Sequence, residues 1–130
     1  MAKVSGHITT DHYKTILTNE RHELIGDEPK INGGSDLGFS PSELLCSALA
    51  TCTCVTLRMY ADRKQWKLTD VKAHITFTRN AEKNISNIKR EIELSGDLSA
   101  EQRERLLSIA NQCHIHKTLT NPIEIETKLS

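Results

Sequence analysis

An α+β fold, with antiparallel strands around one long buried helix, is predicted for this chain as a single domain over residues 1–130. Three observations predict it. Residues 44–57 run for 14 positions without a charge behind an N-terminal capping signal. Four other segments alternate apolar and polar residues as half-buried strands do, and a second capping signal opens a shorter amphipathic helix. Strands, a buried helix, more strands and another helix in that order make an α+β domain.

The first segment is extended. Val4, Gly6, Ile8, Thr10 and His12 share one parity, and a further strand is expected over residues 20–26, ending at Asp27-Glu28-Pro29. Residues 32–36, Asn-Gly-Gly-Ser-Asp, are a loop by composition. Ser40-Pro41-Ser42-Glu43 then supplies an N-cap, a proline at the first helical position and a glutamate at the third. The uncharged run that follows is small and apolar on all sides, so the helix is expected to be surrounded by protein, turning polar from Arg58 and ending near Lys64.

Val71, Ala73, Ile75 and Phe77 alternate with polar neighbours, as do Ile88, Arg90, Ile92 and Leu94. Each set fits an antiparallel strand with one buried face. Ser99-Ala100-Glu101-Gln102 is a second capping box, with Leu106, Ala110 and Cys113 at helical spacing behind it. A short helical piece near 116–119 stops before Pro122, and Ile123, Ile125, Thr127 and Leu129 alternate as a last strand.

Composition removes several functions. Lys plus Arg is 17 and Asp plus Glu is 17, so there is no basic field for nucleic acid or anionic membrane. Aromatic residues are 4% of the chain, too few for a base-stacking platform. The uncharged run falls short of the roughly 20 residues that span a bilayer, so no membrane partner is expected. The start, MAKVSGHITTDHYK, has no apolar signal-peptide core, and a cytosolic, reducing location is expected. Gly33-Gly34 stands alone rather than in a phosphate loop, no serine sits in a nucleophile elbow, and no cofactor is expected.

The four cysteines carry the chemistry. Cys46, Cys52 and Cys54 share the first helix, where Cys52 and Cys54 point roughly 160° apart and Cys46 and Cys52 roughly 120° apart. They cannot converge on one metal or form a disulfide among themselves without melting the helix. Cys113 lies 61 residues beyond Cys52, at the end of the second helix's apolar face. A Cys52–Cys113 pair across two helices is the pairing favoured for redox chemistry. Two readings stand beside it: thiols that only fill a core, and a metal site of Cys52, Cys113, His114 and His116. A buried thiol is inert unless a cation lowers its pKa. Arg21 is the candidate cation from another element, and Arg58, about 120° round the same helix, is the weaker one; either is otherwise a solvated surface charge.

Three stretches resemble the OsmC/Ohr family of osmotically induced and organic hydroperoxide resistance proteins. Residues 38–61, GFSPSELLCSALATCTCVTLRMYA, are similar to the family's Pro-x-Glu-Leu helix, with Cys52 eleven residues after Pro41 at the first-cysteine position. Residues 110–119, ANQCHIHKTL, place Cys113 at the second, and residues 93–107, ELSGDLSAEQRERLL, match the link between them. The resemblance implies the OsmC-like fold, an intertwined homodimer with sites at the subunit interface, and thiol-dependent reduction of organic hydroperoxides. Cys52 would become a sulfenic acid, Cys113 would close a disulfide on it, and a small dithiol such as dihydrolipoamide would reduce that disulfide. Ser42 stands where the hydroperoxide-resistance branch has a catalytic glutamate, and His114 where a proline usually follows the second cysteine. The departure at Ser42 favours an alternative expectation, a non-catalytic protein that binds an apolar or thiol-bearing small molecule at the dimer interface.

Overall fold

A computed structural model describes residues 1–130. Contacts divide the chain into two compact units, residues 1–46 and 47–130.

The first unit holds a three-stranded antiparallel sheet, β1 (Ser5–His7), β2 (Thr15–Thr18) and β3 (Glu23–Gly26), in the order β1-β2-β3. Gly6 faces Leu17, and Ile16 faces Ile25. The strands are shorter than their alternation suggests. The Asn19 side chain accepts hydrogen bonds from the backbone N–H of Arg21 (3.1 Å) and His22 (2.8 Å), so residues 19–22 form a turn and β3 starts only at Glu23.

Asp27 organises the loop beyond β3. Only 3% exposed, it accepts backbone N–H bonds from Tyr13 (3.0 Å), Glu28 (2.7 Å) and Leu37 (3.1 Å). Burial by itself would raise its pKa. The N–H bonds from Leu37, Tyr13, Glu28 and Ser35 together outweigh it and hold the carboxyl below its ordinary value. Ser40 caps the next helix as the sequence predicts: its N–H donates to Glu43 Oε1 (2.9 Å) and its Oγ accepts from the Glu43 N–H (3.3 Å).

That helix, α1 (Pro41–Lys64), runs on into the second unit. There follow a long antiparallel hairpin, β4 (Lys67–Asn80) and β5 (Ile85–Asp97), then α2 (Ala100–Ala110) and α3 (His114–Leu119). Hairpin register sets Ala73 opposite Ile92, Ile75 opposite Arg90 and Phe77 opposite Ile88, so the half-buried residues form one face, as their alternation requires. At the base of the hairpin Gly96 has φ +132°, and a Cβ there would lie 2.0 Å from the Lys67 carbonyl oxygen. No side chain fits that approach.

The core of this unit is Leu57, Tyr60 and Ala61 of α1 with Leu68 of β4 and Leu106, Ile109 and Ala110 of α2. It covers one row of α1, continued by the buried Leu49 and Thr53, rather than the whole helix. Val55 is 44% and Met59 65% exposed. A single hairpin and one short helix can cover only one side of a helix, so burial all round is not reached within one chain. At 24 residues, α1 also outruns its uncharged stretch, and by length and composition alone it would reach across a bilayer; 28% of its most apolar window is buried in the protein.

Two further differences concern the end of the chain. Alpha2 stops at Ala110, and Cys113 is the N-cap of α3 rather than the end of the α2 face. Residues 122–130 form no strand and are exposed, Ile123, Ile125 and Leu129 included. Alternation makes a strand only where a sheet edge accepts its hydrogen bonds, and within the chain no strand pairs with this segment.

Two stability measurements check this account. Asp27 has a folded pKa below its unfolded one, so its contribution is complete above the unfolded value and is lost as pH falls through the folded value. In Asp27→Asn, thermal melts should show lower stability at neutral pH and a flatter decline towards acid. Gly96→Ala should cost more than about 1 kcal/mol in urea unfolding, because both the backbone angle and the close carbonyl exclude a Cβ.

Candidate redox site

Cys52 lies beside the buried row of α1 and is partly exposed, whereas Cys113 is fully buried. The turn between α2 and α3 brings the two together. The Cys52 sulfur accepts the backbone N–H of Ile115 at 3.4 Å and a hydrogen bond from the Cys113 thiol.

The two thiols are shifted in opposite directions. Burial pushes Cys52 up, but hydrogen bonds from the Cys113 thiol, the Ile115 N–H, the Thr56 side chain and the His114 N–H outweigh it and lower its pKa. Burial raises Cys113, and so does the bond through which its proton stabilises the neighbouring sulfur. In the singly ionised pair the negative charge sits on Cys52 and the proton stays on Cys113. This distinguishes a nucleophile, partly open to solvent, from a protonated partner behind it.

The Cys46 thiol is half-buried outside the pair, and the Cys54 thiol donates to the Val71 carbonyl at 3.9 Å. Arg58 bonds Asp62 and the Leu68 carbonyl oxygen, so its charge is already paired. Arg21 is exposed in the turn between β2 and β3, within the first unit. Glu43 is held below its ordinary pKa by the backbone N–H and then the side chain of Ser40, the bonds of its capping role. No three His, Cys, Asp or Glu side chains converge as a metal-ligand set.

Arg90 belongs to the site although no motif marks it in the sequence. Arg90 of β5 projects from the hairpin's half-buried face and holds both cysteine-bearing segments. Its Nη1 donates to Thr53 Oγ1 at 3.1 Å and its Nη2 to Asn111 Oδ1 at 2.8 Å. Thr53 follows Cys52 in α1, and Asn111 precedes Cys113 by two residues. The Thr53 hydroxyl in turn donates to the Leu49 carbonyl at 2.7 Å, which leaves its lone pairs to the guanidinium. The signal was present in the sequence: Arg90 occupies the same parity as Ile88, Ile92 and Leu94, a charge on an otherwise apolar face.

The OsmC-like protein family model matches residues 33–128. The chain belongs to the OsmC-like family. No curated protein sequence matches it. Its fold is shared by solved OsmC-like structures at low identity. An OsmC-like protein from Mycoplasma pneumoniae is 19% identical with a TM-score of 0.80, over 92% of this chain and 87% of that one. An organic hydroperoxide resistance protein OsmC from Legionella pneumophila is also 19% identical, with a TM-score of 0.69 over 92% and 88% of the two chains. The organic hydroperoxide resistance protein OhrB of Bacillus subtilis is 16% identical, with a TM-score of 0.63 over 91% and 89%. The α+β class with antiparallel sheets and helices is the family's.

In this OsmC-like chain, Cys113→Ala removes the strongest stabilising bond to the Cys52 thiolate, so thiolate absorbance should titrate at higher pH than in Cys113 protein. Arg90→Met unties Thr53 and Asn111 together and should cost about 2 kcal/mol in urea unfolding. Arg90→Lys, which lacks the planar fork, should recover only part of that.

Proposed function

We propose that this OsmC-like protein is a thiol-dependent peroxidase for organic hydroperoxides, with Cys52 as nucleophile and Cys113 as resolving thiol. The observation that carries the reading is the hydrogen-bonded pair itself, with Cys52 shifted down and Cys113 up. The Cys52 thiolate attacks the hydroperoxide's terminal oxygen and the O–O bond breaks. Cys52 becomes a sulfenic acid, and the alkoxide leaves and takes a proton as the alcohol. Cys113 then attacks the sulfenic sulfur, forming the disulfide and releasing water. A small dithiol such as dihydrolipoamide reduces that disulfide by two exchanges and becomes oxidised itself.

In this reading Arg21 is the cation that meets the departing alkoxide. The protein works as a homodimer in the cytosol, where both thiols return to the reduced state. What supports a second copy is exposed apolar surface in the second unit: Val55 and Met59 on α1, and Ile123, Ile125 and Leu129 beyond α3. Names of the Legionella and Bacillus proteins point to hydroperoxides as the substrate class.

The alternative is a binding protein without turnover, favoured by Ser42 at the position of the family's glutamate. It requires Cys52 to behave as an ordinary thiol, with a pKa near about 8.5 and slow alkylation at neutral pH. The downward shift of Cys52 speaks for the catalytic reading.

Steady-state reduction of cumene hydroperoxide with dihydrolipoamide tests the proposal. Turnover should vanish in both Cys52→Ser and Cys113→Ser, with single-turnover sulfenate retained in Cys113→Ser. Substoichiometric hydroperoxide should give a Cys52–Cys113 peptide by non-reducing mass mapping. Arg21→Ala should lower kcat/KM by about a hundredfold if it stabilises the leaving oxygen. Absence of both turnover and the bridged peptide would leave the binding reading in place.

A further inference from the structure

Arg90 does more than tie two segments together. It forms part of the wall of a cavity of about 440 Å³ in the second unit, with Leu49, Ile88, Ile92, Leu107 and Leu119 among the other lining residues. Neither Cys52 nor Cys113 lines this cavity. It is a different space from the thiol pair.

The charge of Arg90 has no anionic partner. Its two hydrogen bonds go to neutral oxygens, of Thr53 and Asn111, and the chain's ion pairs are Arg58–Asp62 and His74–Glu93. The glutamates flanking it in register, Glu91 and Glu93, alternate to the opposite, exposed face of β5. A guanidinium has five N–H donors in one fork, so part of it remains available to the cavity. His116, which also lines the space, is pushed towards its neutral form first by burial and then by the Arg90 charge. The wall therefore presents one positive charge between five aliphatic side chains and the neutral polar groups of Ser86, Asn111 and Thr120, a half-buried setting in which a bound carboxylate would give the guanidinium the anionic partner it lacks.

We infer that this cavity binds a small amphipathic carboxylic acid as its anion, the carboxylate on Arg90 and the hydrocarbon chain against Leu49, Ile88, Ile92, Leu107 and Leu119. Five aliphatic side chains suit an unbranched or lightly branched apolar tail, and the single guanidinium suits one acid group rather than a phosphorylated or polyanionic ligand. The site does not depend on hydroperoxide turnover, so it stands or falls separately from the peroxidase reading.

Isothermal titration of the reduced, full-length protein with octanoate and with octanamide, its neutral isostere, tests the inference. Octanoate should bind at least about tenfold more tightly than octanamide, the margin of one charge-assisted contact. Arg90→Gln should abolish that preference while octanamide binding persists. Leu119→Trp narrows the apolar part without removing the guanidinium and should weaken both ligands. Equal affinity for acid and amide, no binding of octanoate, or a preference that survives Arg90→Gln would overturn the inference. If Arg90→Gln fails to fold, the wild-type ratio and Leu119→Trp still decide: octanoate binding unaffected by Leu119→Trp overturns the assigned cavity.

Discussion

The guanidinium of Arg90 is the interaction on which the thiol site depends. Cys52 and Cys113 belong to segments far apart in the chain, one on a long helix and the other in a turn between two short ones. Helix packing through Leu57, Leu106 and Ala110 brings the elements together, and residues 111–113, outside that cluster, need a constraint of their own. Arg90 supplies that constraint from a third element, bonding the residue after Cys52 and the residue two before Cys113. A planar fork on a strand whose position is set by a long hairpin register is well suited to hold two partners at once.

The chemical asymmetry of the thiols follows from what this packing puts around each one. Cys113 is fully enclosed and has its own proton to give; Cys52 is partly open and collects donors from Cys113, Ile115, His114 and Thr56. Desolvation acts on both sulfurs in the same direction; the donors gathered on Cys52, and the effect of the Cys52 charge on Cys113, drive them apart. The outcome is one sulfur prepared to carry charge and another prepared to follow it, through donors supplied by a thiol, a hydroxyl and backbone N–H groups. Peroxide chemistry further needs a group to meet the leaving oxygen, and in the proposed cycle that duty falls to Arg21.

Alpha1 leaves apolar surface that the chain cannot cover. Its row of Leu49, Thr53, Leu57 and Ala61 is buried, while Val55 and Met59 face outward and the alternating tail from Ile123 to Leu129 has no sheet to join. Each is a structural element half satisfied. A helix uncharged around its whole circumference is costly to expose, and a second copy of the chain is the proposed cover.

Much of this was legible in the sequence because it depends on near neighbours. Both capping boxes formed with their expected partners, since a Ser and a Glu or Gln three residues apart need no tertiary help to meet. The hairpin faces followed from a period of two, and the divergence of Cys46, Cys52 and Cys54 from the geometry of one helix. Less legible were the bounds of β3, where Asn19 turns the backbone before the strand and Asp27 the loop after it, through bonds that periodicity does not report. Alternation beyond Pro122 predicts a strand, but alternation describes a preference for two faces and says nothing of whether a neighbour exists to bond.

Local spacing and motif in the chain were enough for the two capped helices, the long hairpin and the family, and they singled out Cys52 and Cys113. Packing in three dimensions set the rest: Cys113 caps a helix instead of ending one, Arg58 has an ion-pair partner while Arg90 has none, and the two thiol pKa values are shifted in opposite directions. Those outcomes depend on burial and on donors drawn from segments distant in sequence. No local rule encodes them, because a charge acquires its partner and a thiol its pKa only when the chain has closed around it.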